Sequence, residues 1–107
     1  MREVNLDVFA AAWAEGALVP DVREPEEYRA GHVPGARLAP LSILATAVGE
    51  VSKDRPVYVI CASGNRSQWG AERLAAVGAD AVSVAGGTDG WARAGRPLVT
   101  GPAPGAA

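Results

Sequence analysis

The stretch Val57-Tyr58-Val59-Ile60-Cys61-Ala62-Ser63-Gly64-Asn65-Arg66-Ser67 constrains the rest of the chain more than any other. It opens with four apolar residues, two valines and an isoleucine among them, which suit a parallel strand covered on both faces. The strand runs straight into a cysteine. A short loop of small and polar residues follows, and a helix begins near Arg66. Ligands of open α/β sheets bind at the carboxyl ends of strands, which is where Cys61 falls. In so short a loop, successive backbone N–H groups can converge on one point and form an anion-binding nest. The helix adds its positive end. Each effect favours a thiolate over a thiol, and the thiolate is the reactive form. Gly64 permits close backbone approach, and Arg66 offers a fixed positive fork, to face the loop and an oxyanion or to lock the loop to a neighbouring carboxylate. A lone free cysteine often only packs. Here the next six residues carry no large apolar side chain, so the segment cannot be core and Cys61 reads as a nucleophile.

A chain of 107 residues is one domain with a modest core. Its hydrophobic content of 49% and charged content of 21% are close to the globular average. A net charge of −2 argues against nucleic-acid binding, and no apolar run reaches membrane-spanning length. The N-terminus lacks a signal-peptide core. One cysteine forms no intramolecular disulfide, and one cysteine with one histidine does not make a usual zinc site. No cofactor is expected, and a reducing, cytoplasmic location is the simplest expectation.

Taken in order, Glu3-Val4 is long enough only for an edge strand. Asn5 caps a helix over about 6–15, with Leu6, Phe9, Ala10 and Trp13 on its apolar face and Gly16 as its stop. Residues 17–22 read as a second buried strand, in which Pro20 cannot donate to a ladder and predicts a local break or bulge. Asp21 and Arg23 flank Val22 and point to one side, as an ion pair that braces the cysteine loop. Pro25 starts a short acid-led helix. The only histidine, His32, sits in the Gly- and Pro-rich turn Gly31–Ala36, which suits a structural imidazole bonded to backbone. No third member of a catalytic triad accompanies it. A short strand at 36–38, a helix at 41–48 and a charged turn at 52–56 lead to the central strand. The loop helix runs over about 66–77. Its small face of Ser67, Gly70, Ala71 and Ala75 lets it lie close to the sheet, and Trp69 falls off that face. Ala81–Val84 is the last strand. Gly86-Gly87 turns into a helix over 88–94 carrying Trp91, and residues 101–107 are expected to be a flexible Pro/Gly/Ala tail that buries nothing.

Four segments then carry a resemblance. Asp21-Val22-Arg23-Glu24-Pro25-Glu26-Glu27-Tyr28, Gly31-His32-Val33-Pro34-Gly35-Ala36, Cys61 to Ser67, and Gly86-Gly87 followed by Trp91 resemble, in the same order, the single-domain rhodanese-like sulfurtransferases. Any one segment is weak; four in register are specific. The resemblance covers about residues 3–99 and implies one domain over 1–100. The implied fold is doubly wound α/β, a five-stranded parallel sheet with helices on both faces. It further implies that Cys61 attacks a sulfane sulfur and becomes a persulfide. The segment Ala62, Ser63, Gly64, Asn65, Arg66 and Ser67 would bind the substrate, Asp21 and Arg23 would support the loop, and Trp91 would pack near the pocket. The implied partners are a small sulfur donor such as thiosulfate and a thiol or cyanide acceptor. A protein acceptor stays open; neither nucleic acid nor membrane is expected. Pro20 stands where the family usually has an aliphatic residue, and Gln68-Trp69-Gly70 where it has small ones.

Two other readings compete. A cysteine-dependent phosphatase or arsenate-reductase-like enzyme also cradles an oxyanion between Cys and Arg. Phosphatases of this fold place five residues between them; here there are four, and no general acid is evident. A non-enzymatic sulfur carrier or partner-binding module typically lacks the nucleophile that this chain retains.

Overall fold

The computed structural model describes residues 2–44 and 55–105. The elements are β1 (Arg2–Val4), α1 (Leu6–Ala14), β2 (Pro20–Asp21), α2 (Pro25–Ala30), β3 (Arg37–Leu38), a 3₁₀ turn (Leu41–Ile43), β4 (Val57–Val59), α3 (Arg66–Ala76), β5 (Ala81–Val84) and α4 (Gly87–Arg93). Their starts follow from local chemistry. The Asn5 side chain accepts from the Val8 amide at 2.9 Å and caps α1. Pro25 opens α2, and Glu24 and Glu27 cap it reciprocally. The helix expected over 41–48 begins as the 3₁₀ turn; residues 45–48 of it, and most of the charged turn at 52–56, lie outside the described residues.

Among the described residues all strand pairing is parallel except one bridge between His32 and Val99. The order β1-β5-β4 makes a three-stranded sheet, and β2 with β3 makes a separate pair. The single five-stranded sheet expected from the sequence is therefore interrupted. Pro20 is the reason. On its β4 side the chain makes Tyr58 N–H to Leu18 O at 2.9 Å, Ile60 N–H to Pro20 O at 3.0 Å and Val22 N–H to Ile60 O at 2.9 Å. The bond missing from this ladder is the one Pro20 would donate, toward the Tyr58 carbonyl. Isolated bridges at Leu18–Val57 and Asp21–Ile60 are what join the two pieces.

Alternation along the strands separates two cores. Val57, Val59, Cys61 and Ala81 pack with Ala71 and Leu74 of α3. Ile60 and Val84 pack with Phe9 and Ala10 of α1 and Trp91 of α4. Helix α3 lies close, as its small face predicts. A Cβ on Gly70 would sit 3.1 Å from both Val59 and Leu44 side-chain carbons.

The C-terminal segment differs from the tail expected. His32 N–H donates to Val99 O at 2.9 Å, and Val99 N–H returns to His32 O at 2.8 Å. Gly101 N–H reaches Arg29 O at 2.9 Å, and Gly35 N–H reaches Pro104 O at 2.8 Å. Residues 99–105 thus lie against the Gly31–Ala36 turn. A composition poor in apolar side chains predicts no burial, and residues 101–105 stay exposed or half-buried; the docking is made by backbone N–H and C=O groups that find partners.

Candidate active site

Cys61 ends the run of β4 and is buried, at 1% exposure. The Gly64 N–H donates to its Sγ at 3.1 Å, and the Ser67 Oγ lies 3.4 Å from the same sulfur. Gly64 holds φ at +106°, so the turn that brings its amide onto the sulfur needs glycine.

The loop's orientation is set from behind. The Cys61 carbonyl accepts from Thr88 N–H at 2.8 Å and the Ala62 carbonyl from Asp89 N–H at 2.9 Å. These two carbonyls satisfy amides in the first turn of α4 that no helix carbonyl could reach. A trans peptide carries its C=O and N–H on opposite sides. With the carbonyls of Cys61 and Ala62 turned to α4, the amides of Ala62 and Ser63 turn away from it. Among the described residues, the amides of Ala62, Ser63, Asn65, Arg66 and Ser67 have no acceptor. Gly87 makes the approach feasible. It has φ +57°, and a Cβ there would stand 2.5 Å from the Cys61 oxygen and 2.6 Å from the Ala62 oxygen.

Of the two expectations for Arg66, an oxyanion or a neighbouring carboxylate, the structure shows the second: it grips Glu27. Its two terminal nitrogens donate to the two Glu27 oxygens at 2.7 and 2.8 Å. This bidentate pair ties the start of α3 to α2. The Arg66 hydrogen bonds hold the Glu27 carboxyl well below its ordinary 4.5, at about 2, against partial burial that pushes it up; the Glu24 amide adds to the lowering. The same bonds raise Arg66 further. Glu27 was not singled out for the site by sequence reasoning. The available signal was its third position in a capped helix, which fixes a carboxylate at one end of α2.

Asp21 and Arg23 form the expected pair, both buried, with Arg23 Nη2 at 2.8 Å from Asp21 Oδ2. Arg23 also donates to Gly31 O at 2.9 Å. The Asp21 backbone also bridges Ile60, the residue before Cys61, so the pair sits next to the strand end that carries the loop. Trp91 lies on the other side of the sheet from the cysteine loop, fully buried. It meets Phe9 at 5.4 Å and Trp13 at 5.1 Å, edge to face, so its support is core packing beneath α4. Ser63 and Asn65 are exposed, and Gly64 is buried.

His32 is buried and structural, as expected. Its Nδ1 is 2.7 Å from Tyr28 O and its Nε2 2.9 Å from Ala103 O. The ring stacks flat on Tyr28 at 3.6 Å.

A sulfur at the carboxyl end of a strand, facing loop amides, in a parallel α/β fold is the geometry of a rhodanese-type domain. The model of the rhodanese-like domain matches residues 7–94, and the chain belongs to that family. It is 40% identical over 78 residues to GlpE, a thiosulfate sulfurtransferase of Pseudomonas putida, covering 72% of this chain and 71% of that protein. It is 36% identical over 92 residues to the uncharacterized protein YqhL of Bacillus subtilis, covering 85% of this chain and 72% of that one. A rhodanese-related protein of Thermoplasma volcanium superposes with a TM-score of 0.85 at 33% identity, covering 94% of this chain and all of that one.

Proposed function

We propose that the domain is a sulfurtransferase that moves a sulfane sulfur from thiosulfate or a persulfide donor to a nucleophilic acceptor through a Cys61 persulfide. The observation that carries the reading is the turned loop: carbonyls spent on α4, the Gly64 amide on the sulfur. The thiolate attacks the outer sulfur of thiosulfate, the new S–S bond forms as the old one breaks, and sulfite leaves with the bonding pair. The persulfide is an anion of the same charge as the thiolate it replaces, so one set of amides serves both states. Cyanide or a thiolate then takes the outer sulfur and restores Cys61. With one cysteine in the chain, no second thiol of its own can resolve the persulfide, so the acceptor is external.

A phosphatase needs its arginine for phosphoryl oxygens, and Arg66 is occupied by Glu27. Exposed Trp69 beside the loop favours an acceptor larger than cyanide. A lone reduced thiol suits a cytoplasmic setting. The test is one mass spectrum after incubation with thiosulfate. The expected result is a single added sulfur on Cys61, removable by cyanide or dithiothreitol, together with thiocyanate formation. No adduct and no thiocyanate would reject the reading.

A further inference from the structure

One polar side chain in the cysteine-side core has no role in what precedes. Ser83 stands in the middle of β5, fully buried, level with Val59 and on the same face as Ala81. A hydroxyl on an otherwise apolar strand face is the informative exception in a core. Its partner is the Ser67 Oγ at 2.8 Å. Ser67, also fully buried, lies in turn 3.4 Å from the Cys61 sulfur. Among the described residues Ser83 has no other side-chain hydrogen bond.

Three groups therefore stand in a row with two contacts between them. The protons can be counted. As a thiol, the row holds three polar protons for two contacts, and one proton is left without an acceptor in a buried site. As a thiolate, the row holds two protons for two contacts. Ser83 donates to Ser67, Ser67 donates to the sulfur, and every proton is placed. Both bonds then run in one sense toward the charge. Hydrogen bonds aligned in this way strengthen one another, and those ending on an anion are stronger than neutral ones. The charged groups around the sulfur are already paired: Arg66 of α3 with Glu27 of α2, and Asp21 of β2 with Arg23. On the α4 side Asp89 is exposed. Beside the Gly64 N–H, the hydroxyl row is an arrangement that distinguishes thiol from thiolate without a new charge.

We propose that Ser83 is a positioning residue that acts through Ser67 to favour the thiolate of Cys61, the attacking form in the sulfur transfer proposed above. It touches neither donor nor acceptor. Ser83→Ala removes the far donor. Ser83→Thr and Ser83→Val have the same shape as each other and differ in the hydroxyl alone.

The experiment follows the ultraviolet absorbance of the thiolate against pH, each protein read as a difference from its own Cys61→Ser counterpart. Ser83→Ala is expected to move the profile to higher pH by about half a unit, a threefold smaller thiolate fraction on its acid side. Ser83→Val should follow it, and Ser83→Thr should return toward the parent. Superimposable profiles for folded Ser83→Ala and parent overturn the proposal, as does a Ser83→Thr profile that matches Ser83→Val. Should the larger side chains not fold, the comparison of Ser83→Ala with the parent decides alone. The readout involves no sulfur donor. A protein that shows the shift but never turns over thiosulfate would keep the serine row and reject the sulfurtransferase reading.

Discussion

Two short turns of this domain look alike in composition and behave oppositely. Cys61–Ser67 and Gly31–Ala36 are both built of small residues, and each holds the chain's single copy of a reactive side chain. Both side chains are buried, Cys61 at 1% exposure and His32 at 0%. The difference is the direction of the peptide groups. Around the sulfur, the carbonyls of Cys61 and Ala62 turn outward to α4 and the Gly64 amide turns inward. Around the imidazole, carbonyls turn inward: Tyr28 O and Ala103 O each meet a ring nitrogen. Inward amides stabilise an anion and leave a nucleophile able to react. Inward carbonyls face both ring nitrogens, and the nitrogen that carries the proton donates to one of them, which makes the histidine a structural pin. Burial alone does not separate a working residue from a packed one; the sense of the surrounding dipoles does.

Exchanging the two special side chains breaks this comparison most sharply. Cys61→Ser should abolish sulfur transfer and the persulfide adduct while leaving the thermal melt near that of the parent. His32→Ala should do the reverse. It removes a buried imidazole that hydrogen-bonds backbone and stacks on Tyr28, and is expected to cost about 2–4 kcal/mol in denaturant unfolding. The protein that remains folded should transfer sulfur within about twofold of the parent. A large loss of turnover in folded His32→Ala would mean that the imidazole takes part in chemistry.

Gly87 tests whether the carbonyls need their outward partner. Any Cβ there collides with the backbone of Cys61 and Ala62 at under 3 Å. Gly87→Ala should lower stability by about 2–4 kcal/mol. It should also lower transfer by more than the unfolded fraction explains, because the loop amides lose their aim. Normal turnover by the folded fraction would show that the loop holds its shape without α4.

The Arg66–Glu27 pair gives a smaller and more specific effect. Arg66→Ala is expected to reduce transfer from thiosulfate by an amount on the order of 10²-fold. Glu27→Gln breaks the same lock but leaves the guanidinium free. If Arg66 works only by tying α3 to α2, the two variants lose similar activity. If Arg66 swings to meet the sulfonate of the donor, Glu27→Gln retains far more. Acidity offers a second handle. The Glu27 carboxyl is held at about 2 in the fold against 4.5 free, so the lock is complete above about pH 4.5 and is lost as pH falls through about 2. The difference in melting temperature between the parent and Glu27→Gln should be constant above that window and shrink within it. A difference that persists unchanged at the acid end would detach the stability from this carboxylate.

Much of this was legible in the sequence, and what was not has physical causes. The strand, the cysteine and the small loop are local signals, and so is the break at Pro20, because a missing N–H is written in one residue. The inward Gly64 amide was an expectation from loop length. What turns the loop over comes from Thr88 and Asp89, more than twenty residues away, and no local pattern announces it. Glu27 and Ser83 were passed over for the same reason. One reads as part of a short acid-led helix and the other as a residue of the last strand, and their partners Arg66 and Ser67 belong to a distant helix. For the segment 101–105 composition speaks for side chains, whereas its anchors are backbone groups, the Gly101 N–H and the carbonyls of Ala103 and Pro104.

Trp69 gives the smallest effect and the finest distinction. It lies in the first turns of α3, near the loop, and is 65% exposed, the most exposed large apolar side chain among the described residues. The buried side of the helix belongs to Ser67, Gly70, Ala71 and Leu74, so Trp69 adds little to either core. Trp69→Ala is therefore expected to change stability by less than about 0.5 kcal/mol, as for other surface positions. Cyanide, a linear ion of two atoms, reaches the outer sulfur without touching the rim, so thiosulfate–cyanide turnover should stay close to that of the parent. A bulky thiol or a protein acceptor must rest on the surface around the loop. There a rigid aromatic face contributes contact at little conformational cost. Transfer to such an acceptor should fall, through a higher KM with kcat largely kept. Parallel assays with cyanide and with a protein thiol, on one preparation whose melt is recorded, separate the two effects. Equal loss with both acceptors would place Trp69 in the loop's own support. A melt several degrees lower would place it in the core.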